Sequence, residues 1–240
     1  MRLLNKLLKA LIPHELRVYL SRKITALPNP NIARLEKIIQ DYIGRQEGVV
    51  FKGQISQDLV AYLYFNKKKN GFFVDIGAND GVTYNNTLVF EQMGWRGICA
   101  EPHPVVFKKL TENRMCITCN VAIASNAKKN VEFICDEKDD MFSGLASKLS
   151  DSARKGKSIK INCISFNDLI FQYADIRHID FLSIDTEGCE MDILSTIDFS
   201  RYSFGLITVE GGKEEVTQFL KTKGYKIYRD LGQDIMFIPQ

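Results

Sequence analysis

Phe72-Phe73-Val74-Asp75-Ile76-Gly77-Ala78-Asn79-Asp80-Gly81 reads as a buried strand that runs into a glycine turn and then into polar residues able to cap a helix. A short apolar run broken by glycine, with helical periodicity beyond it, is how a βαβ unit opens. In open α/β sheets, ligands bind at the carboxyl ends of such strands, where the strand order switches. The decisive position is Asn79. The dinucleotide fingerprint G-x-G-x-x-G needs glycine there so that the backbone can approach a pyrophosphate, and a nicotinamide cofactor is therefore disfavoured. Twenty residues after Gly81, the run Gly97-Ile98-Cys99-Ala100 ends at Glu101. An acid at the tip of a second strand can accept both hydroxyls of a ribose. Together the two signals describe a site for a nucleoside that lacks a pyrophosphate.

Outward from this stretch, further short apolar runs fall at 97–100, 115–121, 179–184, 205–209, 225–228 and 235–238. Continuous runs of this kind are what parallel strands buried on both faces look like. Their alternation with amphipathic segments predicts an open α/β sheet. The last two runs are separated only by 229–234, too short for a crossover helix, so they are expected to pair antiparallel. The stretch 123–178 exceeds one strand-to-helix link. Within it, 131–135 and 159–164 read as additional strands and 168–173 as a short helix, and the aperiodic segment 140–144 suits either a lid or a plain surface loop. Gly156-Lys157-Ser158 invites a phosphate-loop reading, but the first glycine of that motif falls on Asp151.

Composition removes several classes. With 45% apolar and 10% aromatic residues in 240, the chain can bury a sizeable core without disulfides, and disorder is not expected. Residues 1–28 hold six basic side chains against Glu15 alone, which is +5 of an overall +3 and leaves −2 for the remainder. A body so nearly neutral does not suggest phosphate-backbone binding, and nucleic acid is not expected as a partner. The six cysteines sit mostly in apolar runs, and the C-x-x-C of Cys116 and Cys119 has no second pair or nearby histidine to complete a zinc site. Reduced structural cysteines point to a reducing compartment, and no run reaches the length of a membrane span, so a cytoplasmic location is expected. Leu3, Leu4, Leu7, Leu8 and Leu11 have helical spacing, with Lys6 and Lys9 between them. Such a basic amphipathic helix suits docking on the body, pairing with a second copy, or peripheral contact with an anionic membrane. A turn-rich linker at 27–31 and a helix over 32–43 follow, giving a helical extension over 1–50 ahead of a domain over 51–240.

Three strings carry a resemblance: VDIGANDGVTYNNT, then WRGICAEPHP, then FLSIDTEGCEMDIL. In this order they resemble the FkbM-type S-adenosylmethionine-dependent methyltransferases over about residues 54–238. The resemblance implies the class I, Rossmann-like methyltransferase fold, a seven-stranded sheet whose last strand is antiparallel. It also implies S-adenosyl-L-methionine as cofactor and methyl transfer to hydroxyls of sugars, sugar nucleotides or surface glycans. Carried over by position, Asp75, Gly77, Ala78, Asn79 and Gly81 would wrap the methionine end. Asn86 and Thr87 would close one side of the pocket at the start of a helix. Glu101 would take the ribose, with Pro102, His103, Asn120 and Val121 around the adenine. Asp185 would face the transferred methyl.

Methyl transfer to a hydroxyl needs alignment and a group to receive the proton. Asp185 is the first candidate, followed by Glu187 and by Glu210 at the end of the fifth strand. Three acids at neighbouring strand ends are equally a set that can hold a divalent cation, and the metal remains open. Many family members carry histidine after the fifth-strand acid. Here Gly211-Gly212 follow Glu210, leaving His103 and His178 to be weighed in its place. A non-sugar acceptor (a phosphorylated metabolite, peptide or RNA) and a non-catalytic cofactor-binding scaffold are the alternatives.

Overall fold

The computed structural model describes residues 32–136, 143–148 and 156–240. The expected helix over 1–24, the linker at 27–31 and positions 140–142 of the loop lie outside the described residues. The order along the chain is α1 (Ile32–Glu47), α2 (Gln57–Phe65), β1 (Phe72–Ile76), α3 (Leu88–Gln92), β2 (Arg96–Ala100), α4 (Pro104–Asn113) and β3 (Ile117–Cys119). Then come β4 (Ala122–Ile123), β5 (Lys128–Asp136), β6 (Gly144–Leu145), β7 (Gly156–Ile164), α5 (Phe166–Tyr173), β8 (His178–Ile184) and α6 (Glu190–Thr196). The chain closes with β9 (Ser203–Glu210), α7 (Lys213–Thr222), β10 (Tyr225–Asp230) and β11 (Asp234–Pro239).

Seven strands form one sheet in the order β10-β11-β9-β8-β1-β2-β3, and β11 alone runs against its neighbours. This is the class I arrangement, with its switch point between β8, β1 and β2. Every residue of β1 is buried because helices cover both faces of the sheet. Val74, Ile98, Leu182 and Ile207 enter one core with Leu169 of α5, Leu194 of α6 and Leu220 of α7. Phe73, Cys99, Phe181 and Leu206 enter the other with Ile39 and Ile43 of α1, Tyr62 of α2 and Phe90 of α3. All six cysteines are free thiols, five of them buried. No helix among the described residues is long and apolar enough to cross a membrane.

The expected strands at 131–135 and 159–164 are present as β5 and β7, but they leave the main sheet. With β4 and β6 they build a second sheet in the order β4-β7-β5-β6. Phe133 and Leu145 bind it to the first core, and both also face the cavity described next.

Candidate active site

Sheet register assembles the site. Ile76 lies level with Ala100 on one side and Ile184 on the other, and Ile184 lies level with Val209. The residues that leave these four strand ends are therefore Gly77, Glu101, Asp185 and Glu210, in one row across the sheet. Because β11 is reversed, its beginning reaches the same end, and Asp234 pairs with Glu210. The row forms part of the wall of a cavity of 390 Å3, within the range of small-molecule sites.

The turn after β1 is built from alternating left-handed residues, with φ of 82° at Gly77, 50° at Asn79 and 78° at Gly81. Asparagine tolerates that conformation better than most side chains, so Asn79 keeps the turn where the dinucleotide pattern has glycine. Gly77 is there for closeness. A Cβ on it would lie 1.6 Å from the carbonyl oxygen of Asp185. Gly77→Ala is expected to lower stability by about 2–3 kcal/mol and to abolish nucleoside binding, checked by thermal unfolding and calorimetry.

Asp75, at 3% exposure, sits beneath this turn. Its Oδ2 accepts hydrogen bonds from Thr87 Oγ1 (2.7 Å) and Asn85 Nδ2 (2.9 Å). Burial pushes its carboxyl above the usual range, while Thr87, the Arg114 guanidinium and Asn85 pull it back. Arg114 is the clamp of the whole loop. Its side chain is fully buried, pairs with Glu91 at 3.0 Å and donates to Gly81 O, Asn85 Oδ1 and Thr87 Oγ1. Asn85 Oδ1 also accepts from the N–H groups of Thr87 and Leu88, so the expected helix starts at Leu88, after the asparagines.

Glu101, also buried, accepts from Asn79 N at 3.0 Å and His103 N at 2.7 Å, which locks the acid to the turn it faces. Asn86 lies 95% buried on the cavity wall (5% exposed), with Nδ2 donating to Ser183 Oγ and Oδ1 lacking a protein partner. A buried acceptor without a protein partner, on a residue of the cavity wall, is one that a ligand donor can satisfy. The ammonium of a methionine moiety is one, and an acid at the tip of β2 suits a ribose. The residues present therefore fit S-adenosylmethionine.

Asp185, Glu187 and Glu210 offer carboxylate oxygens within 4.8 Å of one another, a spacing that serves a shared proton or a divalent cation. Asp185 is exposed to the cavity, with Glu187 and Glu210 beside it. Desolvation by the surrounding protein, a hydrogen bond with Glu210 and the charges of Glu210, Asp234 and Glu187 all push its pKa well up. Glu210 accepts from Gln233 Nε2, and Asp234 accepts from Gln57 Nε2 at 2.9 Å. Glu187 holds a left-handed backbone (φ 54°). Glu190 turns inward to receive Thr186 N, Thr186 Oγ1 and Gly188 N, and so shapes the loop that presents Glu187.

Of the expected residues, Asp75, Gly77, Ala78, Asn79, Asn86, Glu101, Pro102, Val121, Asp185, Glu187 and Glu210 line the cavity. Gly81, Thr87, His103 and Asn120 stand behind it. Gly81 packs on Leu110 and Arg114, and Asn120 Nδ2 donates to the carbonyls of Glu101 and Pro102. His103 Nδ1 accepts from Val105 N and Val106 N and caps α4. His178 starts β8, at the far end of the strand from Asp185, beside Ser203. Neither histidine replaces one after Glu210.

Sequence reasoning missed Arg114, Ser183, Gln54 and Gln233. A signal existed for Gln233 alone, since an antiparallel strand must begin where its parallel neighbours end. Ser143, within the segment expected as a lid or a surface loop, and Leu145 just after it line the cavity.

Comparison with curated proteins gives no match. Among solved structures, the chain is similar to precorrin-6y C5,15-methyltransferase from Geobacter metallireducens GS-15, at 11% identity over 75% of this chain and 85% of that one, TM-score 0.42. It is similar to the METTL16 methyltransferase domain at 11% identity over 88% and 81%, TM-score 0.44. A methyltransferase from Geobacter sulfurreducens shares 11% identity over 96% and 97%, TM-score 0.43. The profile of the methyltransferase FkbM domain matches residues 75–227, from the buried aspartate of β1 into β10. That match covers well over half of the chain, including Gly77, Glu101, Asp185 and Glu210, and the protein belongs to the FkbM family of S-adenosylmethionine-dependent methyltransferases.

Proposed function

We propose that this methyltransferase acts on a hydroxyl of a sugar, as a free sugar, a sugar nucleotide or part of a surface glycan. The observation that carries the reading is Asp185, a carboxylate open to the cavity, hydrogen-bonded to a second carboxyl and raised in pKa. A hydroxyl is a poor nucleophile until its proton has somewhere to go, and a base with a raised pKa is better matched to that task. When bound, S-adenosylmethionine supplies an electrophilic methyl on a positively charged sulfur and departs as a neutral thioether. Glu101 holds the ribose hydroxyls, and Asn86 with the Gly77–Asn79 turn holds the methionine end. Asp185 would take the proton of an acceptor hydroxyl seated at the acid cluster, and the charges of Glu210 and Glu187 keep its carboxylate basic.

Residues 51–240 constitute the methyltransferase domain in this reading, and 1–50 an extension that brings the enzyme to a membrane-held glycan or to a second copy. The free thiols support a cytoplasmic site of action. The test is calorimetric titration with S-adenosylhomocysteine, followed by labelled methyl transfer to glycans, RNA and peptides. The expected result is micromolar binding that weakens about 10- to 100-fold in Glu101→Gln, with label appearing on glycan alone. Absence of binding by the folded protein, or label on RNA or peptide instead, would overturn the proposal.

A further inference from the structure

The loop between α1 and α2 lies ahead of residues 75–227, the span of the family match, yet it reaches the cavity. Of its residues 52–57, it is Gln54 that lines the wall. Two buried side chains hold this loop in place. Asp58, fully buried, accepts from Lys52 N, from Gly53 N at 2.8 Å and from Leu59 N at 2.7 Å. Gln57, also buried, uses both ends of its amide: Oε1 accepts from Ile55 N at 2.9 Å, and Nε2 donates to Asp234 Oδ2 at 2.9 Å. The fit is close. A Cβ on Gly53 would lie 2.7 Å from Asp58 Oδ1 and 3.0 Å from Gln57 Oε1.

The Gln57–Asp234 bond fixes which end of the cavity the loop serves. Asp234 lies level with Glu210, and its charge reaches Asp185. Glu210 and Gln233, bonded to each other, line the cavity together with Gln54. Glu101 ends β2, three strands from β9, which is about 14 Å at the usual strand spacing. Gln54 therefore stands at the acceptor end, away from the ribose. The anchoring of its loop has a cost. Burial pushes the Asp58 carboxyl up to about 6, even though the N–H groups of Gly53, Lys52 and Leu59 pull it down. A carboxylate kept in the interior to hold three N–H groups fixes the backbone on either side of Gln54, and loops held on a rigid scaffold are where binding residues concentrate. The amide of Gln54 both donates and accepts, which matches a hydroxyl in either role. A sugar offers further hydroxyls beside the one that is methylated.

We propose that Gln54 selects the acceptor, its side-chain amide hydrogen-bonding a second hydroxyl of the sugar, and that Asp58 is a positioning residue for it. This contact deepens the sugar reading given above and rests on it. The test is labelled methyl transfer by the full chain to methyl glycosides and to the same glycosides lacking one hydroxyl at a time, with kcat and KM measured for each. For wild type, one monodeoxy acceptor is expected to lose about five- to tenfold in kcat/KM, the worth of one hydrogen bond. Gln54→Ala should lower the parent glycoside by the same factor, through KM and not kcat, and should no longer distinguish it from that deoxy compound. Asp58→Asn keeps the shape and removes a buried charge, so the fold should hold while the acceptor KM rises. Added to Gln54→Ala, it should cost nothing further. S-adenosylhomocysteine affinity should be unchanged in all three variants. Discrimination that survives Gln54→Ala, or a loss of S-adenosylhomocysteine affinity in place of the KM effect, overturns the role of Gln54 and leaves the sugar reading standing. Additive losses in the double variant overturn the positioning role of Asp58. No label on any glycoside, while S-adenosylhomocysteine still binds, overturns the sugar reading and this contact with it.

Discussion

Asp185→Asn is expected to lower kcat by about 10²–10⁴-fold, the usual worth of a positioned general base. The substitution keeps the shape of the side chain and its ability to bond Glu210, so affinity for S-adenosylhomocysteine should hold. Rate and binding then separate, which loss of the fold would not produce. The pH profile gives a second readout. The base works ionised, so wild-type kcat/KM should fall as pH drops through a pKa lying above the ordinary carboxylate range. Desolvation by the surrounding protein raises that pKa most, and the hydrogen bond and charge of Glu210 come next. Glu210→Gln removes the latter contributions, and the acid limb should move to lower pH even as the rate falls. A limb that stays in place would mean that another group receives the proton.

Arg114→Met should cost about 3–5 kcal/mol, the range for breaking a buried pair by removing one partner. The guanidinium has no exposed surface, and the bonds it donates to Gly81 O, Asn85 Oδ1, Thr87 Oγ1 and the Glu91 carboxylate are all lost together. Burial tends to raise the Glu91 pKa, but Arg114 and the Met115 N–H outweigh it and hold the group below its ordinary value. A carboxyl depressed in this way stabilises the fold above its unfolded pKa of about 4.5, and the contribution fades as pH falls through the lower folded value. The deficit of Arg114→Met should accordingly be largest near neutrality and shrink in acid, as denaturant unfolding at several pH values would show. Arg114→Lys keeps the charge without the planar fork and should fall between the two.

The strands were legible because the main sheet is buried on both faces, and burial on both faces writes itself as an unbroken apolar run. The span of β1 was readable to the residue, and the antiparallel pairing of β10 with β11 followed from the brevity of their connection. The second sheet was legible only as strands. Nothing in 128–136 says that its partner is β7 and not the edge of the main sheet, because partner choice depends on contacts distant in sequence. In the site, residues that leave strand ends could be placed by counting, which is why Gly77, Glu101, Asp185 and Glu210 emerge together. Residues that act from the side could not. Arg114 follows α4 in an unremarkable polar stretch, and its four partners come from a loop and the helix α3 more than twenty residues earlier. His103 shows the converse: adjacency to Glu101 suggested the pocket, while the imidazole closes a helix end.

The reversed strand also governs the timing of synthesis. In the main sheet β10 touches β11 alone, although β10 is made first. A growing chain can lay down the parallel block from β1 to β9 as it emerges, but β10, though it packs on α7 and Phe204, has no strand to pair with until β11 has been added. Until then the outer edge of β9 stays bare and open to mispairing. The same late strand delivers Gln233 and Asp234 to the acid cluster, so the charge that tunes Asp185 is complete only after the rest of the domain has been made. The electrostatics of the site are thus assembled only when the last strand of the sheet joins it.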